Sequence, residues 1–170
     1  MPAWYVGGGF GVGNLGISGP DLTGVPNAIV DDRDNTYTVR FGWRPSPYWA
    51  LELGYYDFGE YKFSGSLASG TTIVSGDARA KSYGLSFVGI LPLDRFDLYG
   101  RIGYAHSKLE ATAGSNFLLQ PVNAKESQDE FTYGLGGRWN FLPQWGLFAE
   151  WFKNDKIKID GYVVGVDFRF

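Results

Sequence analysis

The single histidine of this chain, His106, is followed directly by Ser107, which places a potential base beside a potential nucleophile. Nucleophilic catalysis requires the two side chains within hydrogen-bond reach on one side of the backbone. Neighbouring residues of a β-strand point to opposite faces, so a strand here separates the two groups unless a bulge intervenes. With one histidine and no cysteine, the sequence lacks the ligands for multi-histidine or thiolate metal centres and for disulfides. We therefore expect no catalytic site, no metal and no cofactor.

An acidic run, Asp31–Asn35, is the second candidate for ion chemistry. Carboxylate and amide oxygens bind Ca²⁺, but this run lacks the internal glycine and the closing glutamate of an EF-hand loop. A solvated surface loop is the simpler interpretation, with a weak Ca²⁺ site as the alternative.

Six charged residues stand inside segments that otherwise alternate between apolar and small residues. They are Arg40, Glu52, Arg101, Arg138, Glu150 and Asp167. Three are positive and three are negative, so they can neutralise one another if the fold brings them together away from water. Whether it does depends on the elements that carry them.

Alternation with a period of two residues recurs along the chain, and helical periodicity does not. The strands this predicts are 4–12, 36–44, 48–58, 80–91, 96–109, 129–141, 145–153 and 161–170. They are joined by short turns at 45–47, 92–95 and 142–144, by long loops at 13–35, 59–79 and 110–128, and by a shorter stretch at 154–160. Short turns at one end, long loops at the other and an even strand count predict an all-β fold. We expect an eight-stranded antiparallel up-and-down β-barrel, with 1–170 as a single domain.

The composition excludes several classes of protein and partner for this barrel. The 170 residues are 19% charged and 44% hydrophobic, with a net charge of −3. Mean hydropathy is −0.16, the pI is near 5.1, and no apolar run approaches the roughly 18 residues that a membrane-spanning helix needs. The acidic balance argues against nucleic acid as a partner. No signal-peptide pattern precedes Trp4, so we expect either a mature chain or a cytosolic protein.

Glycines and aromatic residues decide which face of the barrel points outward. Many strand glycines share a parity with the charged residues, where they would weaken a soluble exterior but leave room for large polar side chains in a narrow lumen. The largest aromatic residues gather near the short turns, as in the girdle of a membrane barrel. They are Trp4, Trp43, Trp49, Phe96, Trp139, Phe141, Trp145 and Phe170. An arginine facing lipid costs roughly 2–4 kcal/mol, so the sequence predicts a transmembrane barrel with the charged parity inside.

Five stretches carry a resemblance to a known family: Trp4–Gly7, Pro47–Tyr55, Asp97–Gly103, Gly136–Trp139 and Gly165–Phe170. On these stretches the chain resembles the transmembrane domain of the OmpA family of Gram-negative outer-membrane proteins. The resemblance implies an eight-stranded barrel in the bacterial outer membrane, with the short turns periplasmic and the long loops extracellular. It also implies that the terminal Phe170 is the signal read by the barrel-assembly machinery. Many members continue into a periplasmic domain, so we expect a barrel-only or a shortened member.

The six charged residues should form one layer in such a barrel. Counted from the short-turn end at about 3.3 Å per residue and a tilt of about 40°, all six lie roughly 8–13 Å deep. We predict that Glu52 pairs with Arg138 or with Arg101. The layer is either a self-satisfied charge network or, as the resemblance implies, a gate that closes a narrow passage. Glu52 stands in the matching motif, whereas Arg138 stands where the family pattern usually has an acidic residue.

The function we expect is that of a monomeric outer-membrane barrel with a structural or surface-interaction role, and with a small gated pore as a further option. Its partners would be outer-membrane lipids and lipopolysaccharide, whose phosphates His106 and Lys108 could meet on one face near the outer rim. One alternative is a lipid-modifying barrel enzyme. Lys108 disfavours it by standing where lipid A deacylases have their serine. The other alternative is a soluble lipocalin-like carrier of an apolar ligand, with the two faces inverted.

Overall fold

A computed structural model describes residues 3–15, 29–30, 33–66, 73–115, 122–156 and 158–170. Their strands are β1 Ala3–Leu15, β2 Ile29–Val30, β3 Arg33–Ser46, β4 Trp49–Ser66, β5 Ile73–Leu93, β6 Phe96–Ser115, β7 Val122–Asn140, β8 Trp145–Asn154 and β9 Ile159–Arg169. Over these residues, no helix has the length and apolar character needed to cross a membrane.

The sheet closes on itself. Each long strand pairs antiparallel with its neighbours in the chain, β1 pairs with both β3 and β9, and β4 pairs with β5. The two-residue strand β2 is not one of the strands that close the cylinder. It pairs with the far end of β4, with Ile29 opposite Ser64. The remaining strands form the eight-stranded antiparallel barrel that the sequence predicts, and this prediction is confirmed.

The strands are longer than predicted at the end away from the short turns. The predicted loops 59–79 and 110–128 are wrong in large part, because β4 continues to Ser66, β5 begins at Ile73, β6 continues to Ser115 and β7 begins at Val122. Hydrogen-bonded pairing continues here although the sequence is mostly polar and small. The hydrophobic alternation that identifies a strand requires one apolar face, and it fades where the wall leaves the apolar band.

The two faces of the wall differ as the alternation predicts. Along β8, residues 145–154 alternate between exposed and buried. Large apolar side chains point outward, and Phe10 and Leu135 are each 64% exposed. Charged side chains point inward, and Arg40 and Asp167 are 2% and 1% exposed. The polar face therefore lines the lumen.

A β-bulge in β4 changes which residues face the lumen near the end of the strand that lies away from the short turns. The register with β5 shifts between Asp57 and Glu60. Gly59 has a φ of 76°, which favours glycine, and its N–H donates to Asp57 Oδ1 over 3.1 Å. The extra residue leaves Phe58 buried in the lumen and brings Glu60 to the outer wall, where it accepts a hydrogen bond from Arg79 Nε at 2.9 Å.

Candidate functional site: a charged lumen

Four charged side chains from four strands meet inside the barrel as a buried quartet: Arg40 on β3, Glu52 on β4, Arg101 on β6 and Glu150 on β8. Arg101 contacts both carboxylates, with Nη1 3.2 Å from Glu52 Oε1 and Nη2 2.8 Å from Glu150 Oε1. Arg40 Nη1 lies 3.0 Å from Glu150 Oε2 and 3.8 Å from Glu52 Oε2. None of the four side chains is more than 3% exposed. Two charges of each sign cancel, which lowers the cost of burying them.

Three tyrosine hydroxyls complete the hydrogen bonds of the two carboxylates. Tyr5 donates to Glu52 Oε2 over 2.8 Å. Tyr56 and Tyr99 donate to Glu150 over 3.2 Å and 2.9 Å. With the guanidinium contacts included, each carboxylate oxygen of the quartet has a donor. The carboxylate oxygens are therefore satisfied, whereas Arg40 Nε and Nη2 and Arg101 Nε have no hydrogen-bond partner among the described residues.

The guanidinium of Arg40 also lies against an aromatic ring. Its Cζ is 3.3 Å from the centroid of Phe148, which is itself buried. Arg101 is placed similarly, with Cζ 5.0 Å from the Tyr56 centroid. Both guanidiniums thus combine a cation–π contact with ion pairs that their Nη atoms make to the carboxylates.

Glycines on the inward parity make room for the large polar side chains. A Cβ at Gly42 would overlap the ring of Tyr5, and a Cβ at Gly136 would lie 2.6 Å from Tyr99 Oη. At Gly134 a Cβ would lie 3.1 Å from Glu150 Oε1. These glycines are the register partners of Tyr5, Tyr99 and Arg101 on neighbouring strands, and they leave room for the side chains of the network beside them.

Arg138 and Asp167 pair with each other instead of joining the quartet. Arg138 Nε donates to Asp167 Oδ2 over 2.7 Å, and both side chains are buried. The six predicted charges thus divide into a quartet and a pair, which corrects the expectation of one layer. Glu52 contacts Arg101, one of its two predicted partners, and not Arg138. Arg138 lies closer to the short turns because its register partner is Asp97, the second residue of β6.

Asp97 is the centre of a further polar group at the short-turn end, which was not predicted from the sequence. Arg44 Nη1 lies 2.9 Å and Arg169 Nη2 3.1 Å from Asp97 Oδ2. Asn140 Nδ2 donates to the same oxygen over 3.3 Å. Charged residues at strand ends are normally solvated, so only their inward parity distinguishes them in the sequence.

An apolar layer, which was not predicted from the sequence, fills the lumen on the other side of the quartet. Phe58, Phe152, Ile159 and Val163 are each at most 1% exposed and pack beside Tyr56. The ring centroids of Phe58 and Phe152 are 5.7 Å apart. Ile159 lies within 154–160, where the sequence predicts a connection, so the inward parity of β9 was not followed to the start of that strand.

Glu130 binds the turn between β8 and β9 beside this layer. Its Oε2 accepts from the Lys156 N–H at 2.9 Å, and its Oε1 accepts from Asn154 Nδ2 at 3.2 Å. Ser107 Oγ also donates to Oε1, and Glu130 is 1% exposed. The carboxylate therefore joins the end of β8 and the residues that follow it to β7 and to Ser107 of β6.

The predicted girdle residues lie on the outer wall at the short-turn end. Ring contacts join Trp4 to Trp43, Trp43 to Trp49, Phe96 to Trp139, Trp139 to Phe141, and both Trp145 and Phe170 to Phe168. Towards the other end of the wall stand exposed tyrosines, namely Tyr37, Tyr55, Tyr83, Tyr104, Tyr133 and Tyr162. Two aromatic belts thus bound an outward apolar band, the arrangement of a membrane-spanning barrel.

The strand separates His106 from Ser107. His106 lies on the outer wall, with Nδ1 2.8 Å from Asp129 Oδ1. Ser107 is 1% exposed and bonds Glu130 inside the lumen. The two side chains therefore do not form a base–nucleophile pair.

The acidic run of the sequence contributes no metal site that the structure describes. Asp31 and Asp32 lie outside the described residues, and Arg33 begins β3. Among the residues that are described, no group of three or more His, Cys, Asp or Glu side chains is placed to hold a metal ion.

A closed antiparallel barrel with an apolar band outside, aromatic belts at its limits and charged side chains within is an integral membrane β-barrel. The sequence matches the family model of the outer membrane protein beta-barrel domain over residues 2–170, and the chain belongs to this family. The match confirms the outer-membrane barrel that the sequence predicts and supports its assignment of the two faces over that of a soluble carrier. No curated protein matches the sequence.

Several solved structures share the fold at low sequence identity. Ail of Yersinia pestis, in complex with the heparin analogue sucrose octasulfate, is 17% identical, with 98% of this chain and 99% of Ail covered and a TM-score of 0.58. OprG of Pseudomonas aeruginosa is 12% identical, with 99% and 95% covered and a TM-score of 0.62. The N-terminal barrel of OprF, from the same organism, is 11% identical, with 98% and 97% covered and a TM-score of 0.57. At these identities the likeness establishes the fold alone.

Proposed function

We propose that this chain is a monomeric, closed outer-membrane barrel with a structural and surface-interaction role. The buried quartet of Arg40, Glu52, Arg101 and Glu150 is the observation that carries the proposal. Its side chains come from four strands and meet across the lumen, so the network ties opposite parts of the wall together. Removing one partner of a buried ion pair costs about 3–5 kcal/mol, which makes the filled lumen a rigid support.

The interacting surface is the extension of β4 to β7 beyond the tyrosine belt. On β5 the strand continues ten residues past Tyr83 to Ile73, whereas on β9 it ends three residues past Tyr162 at Ile159. Ten residues of a strand tilted by about 40° rise roughly 25 Å. One half of the wall therefore stands well above the other and can present strand backbone beyond the lipid headgroups.

The orientation belongs to the same proposal. The short turns face the periplasm, and the extended strands face outward among the lipopolysaccharide. In this proposal the barrel-assembly machinery reads Phe170, the residue after β9, and 1–170 form one domain. The exposed ring of Phe170, 61% accessible and stacked on Phe168, is available for such a contact.

Folding and conductance test the closed barrel together. The urea-unfolded chain should give a faster-migrating unboiled gel band after dilution into detergent micelles, and no such band in buffer alone. Inserted in a planar bilayer, the folded protein should carry no steady single-channel current. Folding without detergent, or a steady current from the unaltered chain, would overturn the proposal.

A gated pore is the second candidate, and the position of Glu52 favours it. Its carboxylate stands between two guanidiniums, 3.2 Å from Arg101 and 3.8 Å from Arg40, so it can exchange partners without losing its counter-charge. The apolar layer at Phe58 and Phe152 is a second obstacle, because hydrophobic constrictions exclude ions by excluding water. In the closed barrel, ions therefore meet two barriers in series, the quartet and the apolar layer. In a gated pore, the quartet is the sole barrier.

Three variants separate these candidates: Glu52→Gln, Phe152→Ala and the double change. With two barriers, neither single variant conducts and the double variant does. With the quartet as the sole gate, Glu52→Gln conducts alone, and the closed-barrel proposal fails. Glu60→Gln is the matched control, because Glu60 is in the same strand but pairs with Arg79 on the outer wall.

A further inference from the structure

The extension of β4 to β7 beyond the tyrosine belt has one border that no described strand covers. Pairing between β7 and β8 begins at Thr132, opposite Asn154, and no strand that the structure describes pairs with this side of β7 before that residue. A backbone bond from the Asp155 N–H to the carbonyl of Phe131 adds one contact beyond the ladder. Residues 122–130 therefore have a partner strand only on the side of β6.

The backbone groups that face this border belong to alternate residues. In a β-strand the N–H and the C=O of one residue point to the same edge, and the next residue uses the other edge. Because the carbonyl of Phe131 points towards β8, the backbone groups of Lys125, Ser127 and Asp129 point to that side as well. The side chains of these three residues are exposed. Residues 125–129 thus form an open edge, with backbone donors and acceptors directed at a further strand.

The opposite border of the extension already holds an added strand. Pairing between β3 and β4 ends with Tyr37 opposite Asp57. Beyond this point β2 pairs with β4, with Ile29 opposite Ser64. One border is therefore covered in part by the chain itself, whereas the open edge of β7 remains a template for a strand from another molecule.

The charges of the open edge complement those of a second copy in one arrangement. When two open edges pair antiparallel about a two-fold axis at Ser127, Lys125 of each copy lies opposite Asp129 of the other, and opposite charges across neighbouring strands stabilise the pairing. Each of the three facing residue pairs can exchange two backbone hydrogen bonds. Within the chain, Lys125 contacts Glu110 and Asp129 contacts His106. Both contacts lie at the surface, where ion pairs are weak and leave the charges accessible.

The antiparallel arrangement requires the two copies to stand in opposing membranes. Two symmetric barrels in one membrane are related by a two-fold axis along the membrane normal, so their β7 strands run in the same direction. That axis would place the two Ser127 side chains on opposite faces of the joined sheet, out of phase with the pleat. Ser127 lies six residues beyond Tyr133 of the tyrosine belt, which is roughly 15 Å of rise, so the belts of two joined membranes stand about 30 Å apart.

We propose that the open edge of β7 binds the open edge of a second copy of this chain in an opposing outer membrane, so that the barrel tethers two membranes. The inference deepens the proposed function and rests on its orientation, since the extended strands must face outward. A few backbone bonds hold a single pair weakly, so the protein stays monomeric in micelles. Many copies between two membranes supply the avidity that one pair lacks.

An exchange of charges between two vesicle populations tests the proposal. The folded full chain is reconstituted in phosphatidylcholine vesicles that carry one of two fluorescent lipids, and mixed clusters are counted. The unaltered chain should cluster the vesicles. Lys125→Glu or Asp129→Lys in both populations should reduce clustering about tenfold, because like charges then face each other at many sites. Lys125→Glu vesicles mixed with Asp129→Lys vesicles should cluster again, since every facing pair regains opposite signs.

The recovery in the mixture separates pairing between copies from a structural role of either residue. A change that only damages its own sheet is not repaired by a second damaged copy. Lys153→Glu is the matched control, because Lys153 is exposed on β8 and its register partner is Asp160, away from the open edge. It should cluster vesicles as the unaltered chain does. No clustering by the unaltered chain, no recovery in the mixture, or an equal loss in the control would overturn the proposal.

Cross-linking tests the register of the pairing. The chain has no cysteine, so Ser127→Cys introduces a single thiol at the two-fold axis. In clustered vesicles a short bis-methanethiosulfonate linker should join two copies through residue 127 and give a band of twice the monomer mass. Lys108→Cys, an exposed position on β6 inside the sheet, should give no such band. Equal yields at the two positions would mean random collision and would refute the register.

A peptide with the sequence of residues 122–131 should compete with clustering by occupying the open edge, and a scrambled peptide should not. Equal competition by both peptides would show that the edge accepts extended segments in general, and would rule out the second copy as its occupant.

These outcomes are distinguishable from failure of the proposed function. A chain that folds in detergent and carries no current, but whose vesicles stay apart, refutes the tether alone. A chain that folds only in plain buffer refutes the outer-membrane role before any vesicle is made.

Discussion

Arg101 and Glu150 make the shortest ion pair of the quartet, 2.8 Å from Nη2 to Oε1. Glu150 also accepts hydrogen bonds from Arg40, Tyr56 and Tyr99, so four side chains converge on one carboxylate. Glu52, the other carboxylate of the quartet, has fewer contacts, and its ion pairs with Arg101 and Arg40 are longer, at 3.2 Å and 3.8 Å. The network is therefore centred on Glu150, on β8, although Glu52 is the residue that family resemblance singles out.

Glu150→Gln should destabilise the barrel more than Glu52→Gln. Removing the charge of Glu150 leaves two buried guanidiniums with a deficit of counter-charge, which should lower the free energy of unfolding by about 3–5 kcal/mol. Equilibrium urea unfolding in micelles, followed by tryptophan fluorescence, measures the difference. Glu60→Gln, which disrupts an exposed pair with Arg79, should cost about 0–1 kcal/mol. Equal losses at Glu150 and Glu52 would contradict the asymmetry of the network.

Gly42→Ala tests whether glycines create the space for the lumen network. The added methyl group overlaps the ring of Tyr5 and displaces its hydroxyl from Glu52, so we expect a loss of about 1–3 kcal/mol. Gly89→Ala is the matched control, because the nearest atom to its new Cβ is Gly100 O at 3.9 Å. The same unfolding assay applies, and similar losses for both variants would mean that glycine acts here through backbone freedom rather than space.

Gly59→Ala should weaken the bulge of β4. At a φ of 76° a side chain with a Cβ costs about 1–2 kcal/mol, and Gly59→Asn should cost less because asparagine tolerates this region better. The change should also perturb the outer pair of Glu60 with Arg79, whose register depends on the bulge. The free energy of unfolding of the two variants checks the order, and asparagine at or below alanine in stability would refute it.

The inward parity of the quartet could be predicted from the sequence, but its pairing could not. The face to which a side chain points follows from the alternation within its own strand, so it can be read from neighbouring residues in the sequence. Pairing depends on how the tilted strands are staggered around the barrel. Arg40 and Asp167 show this: both are register partners of Gly7, and both stand three residues before an aromatic residue near the short-turn end. Hydrogen-bonded rows run obliquely to the barrel axis, so Arg40 meets Glu150 while Asp167 meets Arg138.

The two ends of the lumen were missed for a different physical reason. The sequence signal for a strand is contrast between an apolar and a polar face, and it is strong only within the lipid-facing band. Asp97 and Ile159 lie at the limits of that band, beside a short turn and beside the β8–β9 turn. Both are buried because the barrel closes over them, a property of the whole cylinder and not of the segment around either residue.

Glu130→Gln should release the β8–β9 turn while the barrel stays folded. The bond from the Lys156 N–H to Glu130 Oε2, 2.9 Å long, loses its charge assistance when the carboxylate becomes an amide, which should cost about 1–2 kcal/mol. Amide hydrogen exchange should then accelerate more at Lys156, in the turn, than at Glu150, within β8.

Asp155→Asn provides the control for this release. Asp155 is exposed in the same turn, and its own N–H bonds the carbonyl of Phe131, which the substitution leaves in place. Its exchange pattern should match that of the unaltered protein. If Glu130→Gln accelerates exchange uniformly along β8, the carboxylate supports the barrel as a whole. If acceleration is confined to the turn, Glu130 fixes the turn that leads into Ile159, the first residue of β9 and a member of the apolar layer.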